Sequence, residues 1–229
     1  MRMSFAAGRK RGLTLVEVLV IIMVITILAG TFVPAATKRK QRALRIQCVN
    51  NLKLAGLAFR VWSGDQTPDF PMQHSVRKGG TMEFSSGPNA FRHFQVMSNE
   101  LTTPKVLFCP ADSERNPATT FDLKALPGEI PFTSNSNLSY FVGLDAEESD
   151  PQRLLTGDRN ITNGTPLKDG VLELAPNHSP GWTDEIHRKI GNVALADGSV
   201  QMENSMGLSS ALTNAPAFTN RLQMPVLGQ

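Results

Sequence analysis

Apolar residues follow two contrasting patterns over the first third of the chain. From Leu13 to Val33 (LTLVEVLVIIMVITILAGTFV) Val, Ile and Leu dominate every position of the helical wheel, and Glu17 is the one charge. No polar stripe is left to turn toward water, which predicts a helix apolar on every face. At ~1.5 Å per residue the run measures roughly 30 Å, the thickness of a bilayer's hydrocarbon core. It therefore predicts a transmembrane/assembly helix over 13–33, and Pro34, directly after it, predicts a kink. Beyond Pro34 the pattern becomes one-sided. Cys48, Leu52, Ala55, Phe59 and Trp62 recur at helical spacing on a single face. They predict an amphipathic helical spine over 34–64 on which a sheet packs.

After residue 64 the chain changes character. Asp65–Met72 (DQTPDFPM) reads as a connector, and a short helix is expected from Ala90 to Val96, continuing to Glu100. Val106–Cys109 reads as a short strand stopped by Pro110, and Ser113–Glu129 as irregular. Leu138–Leu144 and Leu154–Asp158 are strand candidates. Asp197-Gly198 between Val193–Ala196 and Ser199–Met202 is a strong hairpin signal, because both turn positions favour positive φ. These elements predict a globular α+β domain over 65–208. A tail over 209–229 follows, with a helical turn at Leu208–Leu212 and a loose end. The expected fold is thus α+β: a long N-terminal membrane-spanning helix, continuing as a spine packed on a C-terminal antiparallel sheet.

Charge and cysteine content refine this picture. The formal net charge is +3, and Arg2, Arg9, Lys10 and Arg11 precede the apolar run. Losing those four cations would bring the chain to about −1, so the basic balance gives no argument for nucleic acid. Lys38, Arg39, Lys40, Arg42 and Arg45 form a second basic run, read as a solvated collar. Cys48 and Cys109 are the only cysteines. They could form a disulfide or remain as two buried thiols.

The N-terminal residues resemble a family. Basic residues, then Gly12-Leu13-Thr14-Leu15-Val16-Glu17 and a long apolar run, are similar to the leader junction of type IV prepilins and type II secretion pseudopilins. The resemblance implies a leader over 1–12, cleavage by a prepilin peptidase between Gly12 and Leu13, and N-methylation of Leu13. It makes Glu17 the assembly residue, pairing with the amine exposed on a neighbouring copy, and Pro34 a helix-breaking proline. Leu13 departs from the family's usual Phe or Met. Opposite charges brought together in a low-dielectric bundle offset each other's desolvation. Cleavage would then gate assembly.

A second resemblance lies further along. His187, nine residues, then Asp197-Gly198 is similar to the H-x9-DG signature of a group of prepilin-type proteins. Asn50-Asn51-Leu52-Lys53, Cys109-Pro110-Ala111-Asp112 and Gly157-Asp158-Arg159-Asn160 also look like recurrent segments of that group.

Catalytic signals are absent. There is no G-x-S-x-G, P-loop, G-x-G-x-x-G, H-E-x-x-H or C-x-x-C. The four histidines, His74, His93, His178 and His187, do not cluster in sequence. No enzyme is expected, and no cofactor beyond calcium. Major pseudopilins often bind calcium in a C-terminal loop, and Asp145, Glu147, Glu148 and Asp150 are the oxygen donors that such a role would draw on; a solvated acidic loop is the alternative.

The expected function is that of a pseudopilin-like subunit, assembled through its N-terminal helix into a periplasmic filament of a type II secretion-like system. Its expected partners are the prepilin peptidase, other pilin-like subunits, copies of itself and the inner membrane. The expected location is the bacterial inner membrane, single-pass, with the N-terminus cytoplasmic and the C-terminal domain periplasmic. Two alternatives stand beside this. One is a type IV pilus or competence pilin. The other is a tethered envelope binding module that does not polymerise, with Trp182 as a surface contact.

Overall fold

The computed structural model describes the backbone of residues 12, 14–66, 69–175, 179–214 and 219–228, without the side chains of 31–36, 38, 66, 213 and 214. The described chain divides into two compact units, Met1–Arg42 and Ala43–Gln229. One helix, α1 (Leu15–Gln66), contributes to both.

The second unit is α+β, built on a six-stranded antiparallel sheet. Its strands are β1 (Tyr140–Gly143), β2 (Leu154–Asp158), β4 (Val171–Leu174), β6 (Ile190–Leu195), β7 (Val200–Asn204) and β8 (Asn220–Gln223), in the order β4-β8-β1-β2-β6-β7. A separate ribbon pairs β3 (Ile161–Thr162) with β5 (Gly181–Trp182). Among the described residues the unit also holds short α-helices, α2 (Ala90–Gln95), α3 (Ser98–Leu101) and α4 (Ser205–Asn214), and several 3-10 turns.

Strand alternation sends side chains to two cores. Tyr140, Val142 and Leu155 join α1's Cys48, Leu52, Ala55, Phe59 and Trp62 in one. Phe141, Leu154, Val193 and Leu195 join Trp182, Leu208 of α4 and Leu222 in the other. The five residues of the one-sided α1 pattern are all buried. The helix runs close to the sheet at Gly56, where a Cβ would lie in ordinary contact with Ala194 Cβ at 3.7 Å.

The membrane-spanning helix and the single-pass inner-membrane location expected from the sequence are both corrected. Among the described residues no helix is long and apolar enough to cross a membrane. α1 is 52 residues long, but its apolar residues give way to a basic run. The helix then carries Arg39, Lys40, Arg42 and Arg45. The cytoplasmic N-terminus and periplasmic domain rested on that span and fall with it.

Other expectations are revised locally. Val106–Cys109 is no strand: Thr103 caps a 3-10 turn over Pro104–Leu107 by accepting from the Lys105 N–H at 3.4 Å. The tail is not a loose end, because β8 lies within the sheet between β1 and β4. The helix expected from Ala90 to Glu100 is two, α2 and α3. The hairpin of β6 and β7 pairs Ala194 with Val200 around Asp197-Gly198, and Gly198 takes a φ of 85°.

Candidate functional site

Two places concentrate the residues singled out in the sequence. The first is the start of α1. Thr14 Oγ1 accepts from the Glu17 N–H at 3.3 Å, while Glu17 Oε2 accepts from the Thr14 N–H and from its hydroxyl, both at 2.8 Å. This is a reciprocal capping box, which satisfies donors that the first helical turn leaves orphaned. The T-x-x-E spacing carried that signal, and the sequence reading assigned Glu17 to assembly alone. Immediately after the cap, large apolar side chains are exposed around the whole helix: Leu15 is 81% exposed, Ile22 57% and Leu28 49%. Gly12, on the leader side of the expected cleavage point, is exposed, and a Cβ there would meet nothing within 4 Å. Residues 1–11, Leu13 with its expected methylation, and the Pro34 side chain lie outside the described residues, while α1 remains helical through Pro34.

The second place is a buried polar cluster around the disulfide that joins Cys48 of α1 to Cys109. His187 Nε2 lies 3.3 Å from Cys109 Sγ and 3.6 Å from Asp158 Oδ2. The three sequence segments that looked recurrent, and His187, converge here. Asn51 Nδ2 donates to the carbonyl of Phe108 at 2.9 Å. Arg159 grips Asp112 with two bonds, Nε to Oδ2 at 2.8 Å and Nη2 to Oδ1 at 2.9 Å. Asp158 Oδ2 accepts from both the backbone N–H and the side-chain amide of Asn192 at 2.8 Å. Asp158 Oδ1 is buried with no hydrogen-bond partner.

Burial decides the protonation of this cluster. It pushes the Asp158 carboxyl up to about 7, against the lowering effect of the Asn192 bonds. It pushes the His187 imidazole down to about 4 together with the Arg45 charge. The two groups are therefore driven toward neutrality, and their 3.6 Å contact is no strong ion pair near pH 7. His187, Arg188 and Lys189 run consecutively in the left-handed region, at φ 56°, 55° and 59°. Such a run is unfavourable for L-residues with side chains. Arg45 Nη2 donates to the His187 carbonyl at 3.2 Å and ties this turn to α1.

Asp197 and Gly198, the other end of the H-x9-DG signature, lie apart from this cluster at the far end of β6. They build the hairpin turn: Asp197 Oδ1 accepts from the Ser199 N–H at 2.8 Å, and the Asp197 carbonyl accepts from Arg60 Nη1 at 2.8 Å. The signature thus joins two structural positions, one at each end of a strand.

The acidic loop does not converge on one point. Asp145 takes Arg221 through Nε and Nη2, at 2.9 and 2.5 Å, and Asp150 takes Arg153 at 2.9 Å. Glu148 accepts from Ser63 Oγ, and Glu147 from Ser149 Oγ at 3.1 Å. Trp182 is only 5% exposed and lies over Gly191, so it cannot be the surface contact that a binding module would need. His178 lies outside the described residues.

Sequence reasoning missed one buried histidine. His93 Nδ1 is 2.6 Å from Thr81 Oγ1, and its Nε2 is 2.7 Å from Gln223 Oε1. Gln223 Nε2 donates to the Phe84 carbonyl at 2.8 Å, which fixes its amide orientation. The Gln223 oxygen therefore accepts from His93 Nε2–H, and Nδ1 accepts from Thr81. Burial pushes this imidazole down to about 4.

Compared with protein-family models, with curated proteins and with solved structures, the chain matches none.

Proposed function

We propose that the chain is a pilin-like assembly subunit of a type II secretion-like system, processed between Gly12 and Leu13 and joined to its copies through the first part of α1. One observation carries this reading. The helix that begins at the Thr14–Glu17 cap exposes apolar side chains on all its faces, from Leu15 to Leu28. A contiguous apolar surface of this kind marks an interaction site. Neighbouring copies of the same helix supply a cover of matching chemistry on every side, which a single partner groove does not.

Glu17 has a part in this reading beyond the cap. Its Oε2 is engaged by Thr14, while no partner for Oε1 is found among the described residues. An amine freed at Leu13 of an adjacent copy would be its complement. The Cys48–Cys109 disulfide suits a second unit that works in an oxidising compartment.

Two substitutions separate the cap from the charge. Glu17→Gln keeps a side chain able to close a capping box but removes the carboxylate. Glu17→Ala removes both. The proposal expects helicity to survive in Glu17→Gln, filament formation to be lost in both variants, and mass spectrometry of wild-type chain to show an N-terminus at methylated Leu13. Normal filaments from Glu17→Gln would refute the charge pairing, and an intact Met1 in a host holding the peptidase would refute the processing.

A further inference from the structure

We propose that the disulfide cluster is a thiol-switched metal site: reduction of Cys48–Cys109 creates a Zn²⁺ site from Cys48, Cys109, His187 and Asp158. The ligand atoms of Cys48, Cys109 and His187 all lie within 4.8 Å of one another, the one such grouping of Cys, His, Asp and Glu among the described residues. His187 Nε2 stands 3.3 Å from Cys109 Sγ and 3.6 Å from Asp158 Oδ2. Tetrahedral zinc, with bonds of about 2.3 Å to sulfur and 2.0–2.1 Å to nitrogen and oxygen, sets neighbouring ligands roughly 3.3–3.8 Å apart. His187 Nε2 already holds nearly that spacing to Cys109 Sγ and to Asp158 Oδ2. On reduction the two sulfurs must separate, and Asp158, which lies outside the 4.8 Å grouping, must close on them.

A second observation points to a ligand. Asp158 is fully buried, and its Oδ1 has no hydrogen-bond partner. A cation beside Asp158 would compensate a buried carboxylate that the protein leaves half-satisfied. The second shell is in place as well. Asn192 holds Asp158 through two bonds, and Arg45 holds the turn that carries His187. Ligands oriented by such outer partners are typical of metal sites.

The chemistry balances with a dithiol as reductant. The dithiol breaks the Cys48–Cys109 bond, gives up two electrons and two protons, and becomes a disulfide itself. Two protein thiols result. Zn²⁺ then displaces their two protons and forms two zinc–sulfur bonds, with neutral His187 and ionised Asp158 completing the set. Oxidised chain lacks the thiolates and has no site.

The test uses the full chain, reduced in urea and refolded by dilution without oxygen, with and without Co²⁺ or Zn²⁺. The expected result is one equivalent of metal per reduced chain and none per oxidised chain. Co²⁺ should give the thiolate charge-transfer and tetrahedral d–d bands, and Zn²⁺ should raise the melting temperature of the reduced chain. His187→Ala should lose both the bands and the thermal gain, and Asp158→Asn should weaken binding. Should the reduced chain not fold alone, zinc is expected to restore its near-ultraviolet circular dichroism, and failure to do so overturns the proposal. So does metal uptake that His187→Ala leaves unchanged, since two cysteines of an unfolded chain would then be the whole site.

Discussion

Two stretches of one helix have opposite fates in this molecule. Cys48, Leu52, Ala55, Phe59 and Trp62 put their apolar side chains on one face, and strand, helix and loop residues of the same core bury that face. Leu15 to Leu28 place theirs on all faces, and these side chains are largely exposed among the described residues. A one-sided pattern can be satisfied by the chain's own fold, whereas an all-round pattern needs several neighbours at once. Substitutions in the first stretch should therefore register in the stability of the monomer, and substitutions in the second in association.

The largest separation is expected at Phe59 and Ile22. Phe59 is fully buried against Phe70 and Phe94, with ring centroids at 5.9 and 5.5 Å. Phe59→Ala should cost about 3–5 kcal/mol in urea unfolding. Ile22→Ala should change monomer stability by less than about 0.5 kcal/mol, yet reduce association. A large stability loss at Ile22 would break the contrast.

Reducing the disulfide without metal sharpens it next. The bond closes a loop of 61 residues between α1 and Cys109, so its loss should lower stability by about 4 kcal/mol, read as a drop in the urea midpoint. The exposed stretch should keep its helicity.

A pH titration tests the covered side again. The folded value of His93 is pushed from 6.5 down to about 4 by burial. Between those values the unfolded chain binds the proton and the folded chain does not. The His93 contribution to stability should be full above about pH 6.5, fall as pH drops, and level off below about pH 4, for a total of about 3 kcal/mol. His93→Gln should make that limb shallower, leaving the share of His187, which burial also pushes down to about 4, and an unchanged slope would remove His93 as a source.

Gly191→Ala is expected to have the smallest effect among the buried positions. A Cβ at Gly191 would come within 2.0 Å of the Trp182 ring, so the substitution should cost about 1–3 kcal/mol by thermal melting and shift the Trp fluorescence. A neutral result would show that Trp182 is free to move.

How much the sequence told follows from the range of the interactions. The buried face of α1, strand β2 and the β6–β7 hairpin were legible because each is written in local periodicity or turn chemistry. Strand β8 was not. Its residues, Asn-Arg-Leu-Gln, read as polar tail, and their burial depends on β1, β4 and His93, the last 130 positions away. Val106–Cys109 looked like a strand on apolarity alone, and the Thr103–Pro104 start makes it a turn. The convergence of His187, Asp158 and the disulfide needed the strand register, although each segment had been singled out. The membrane span read from the apolar run is not supported, since no helix among the described residues is long and apolar enough to cross a membrane.

Placing a cysteine at Ile22, with the native disulfide intact, asks directly whether copies cover that surface. Oxidation in a host that holds the peptidase should then yield covalent dimers that disappear when Glu17→Gln is added. Monomers only, or dimers indifferent to Glu17→Gln, would contradict assembly through this helix.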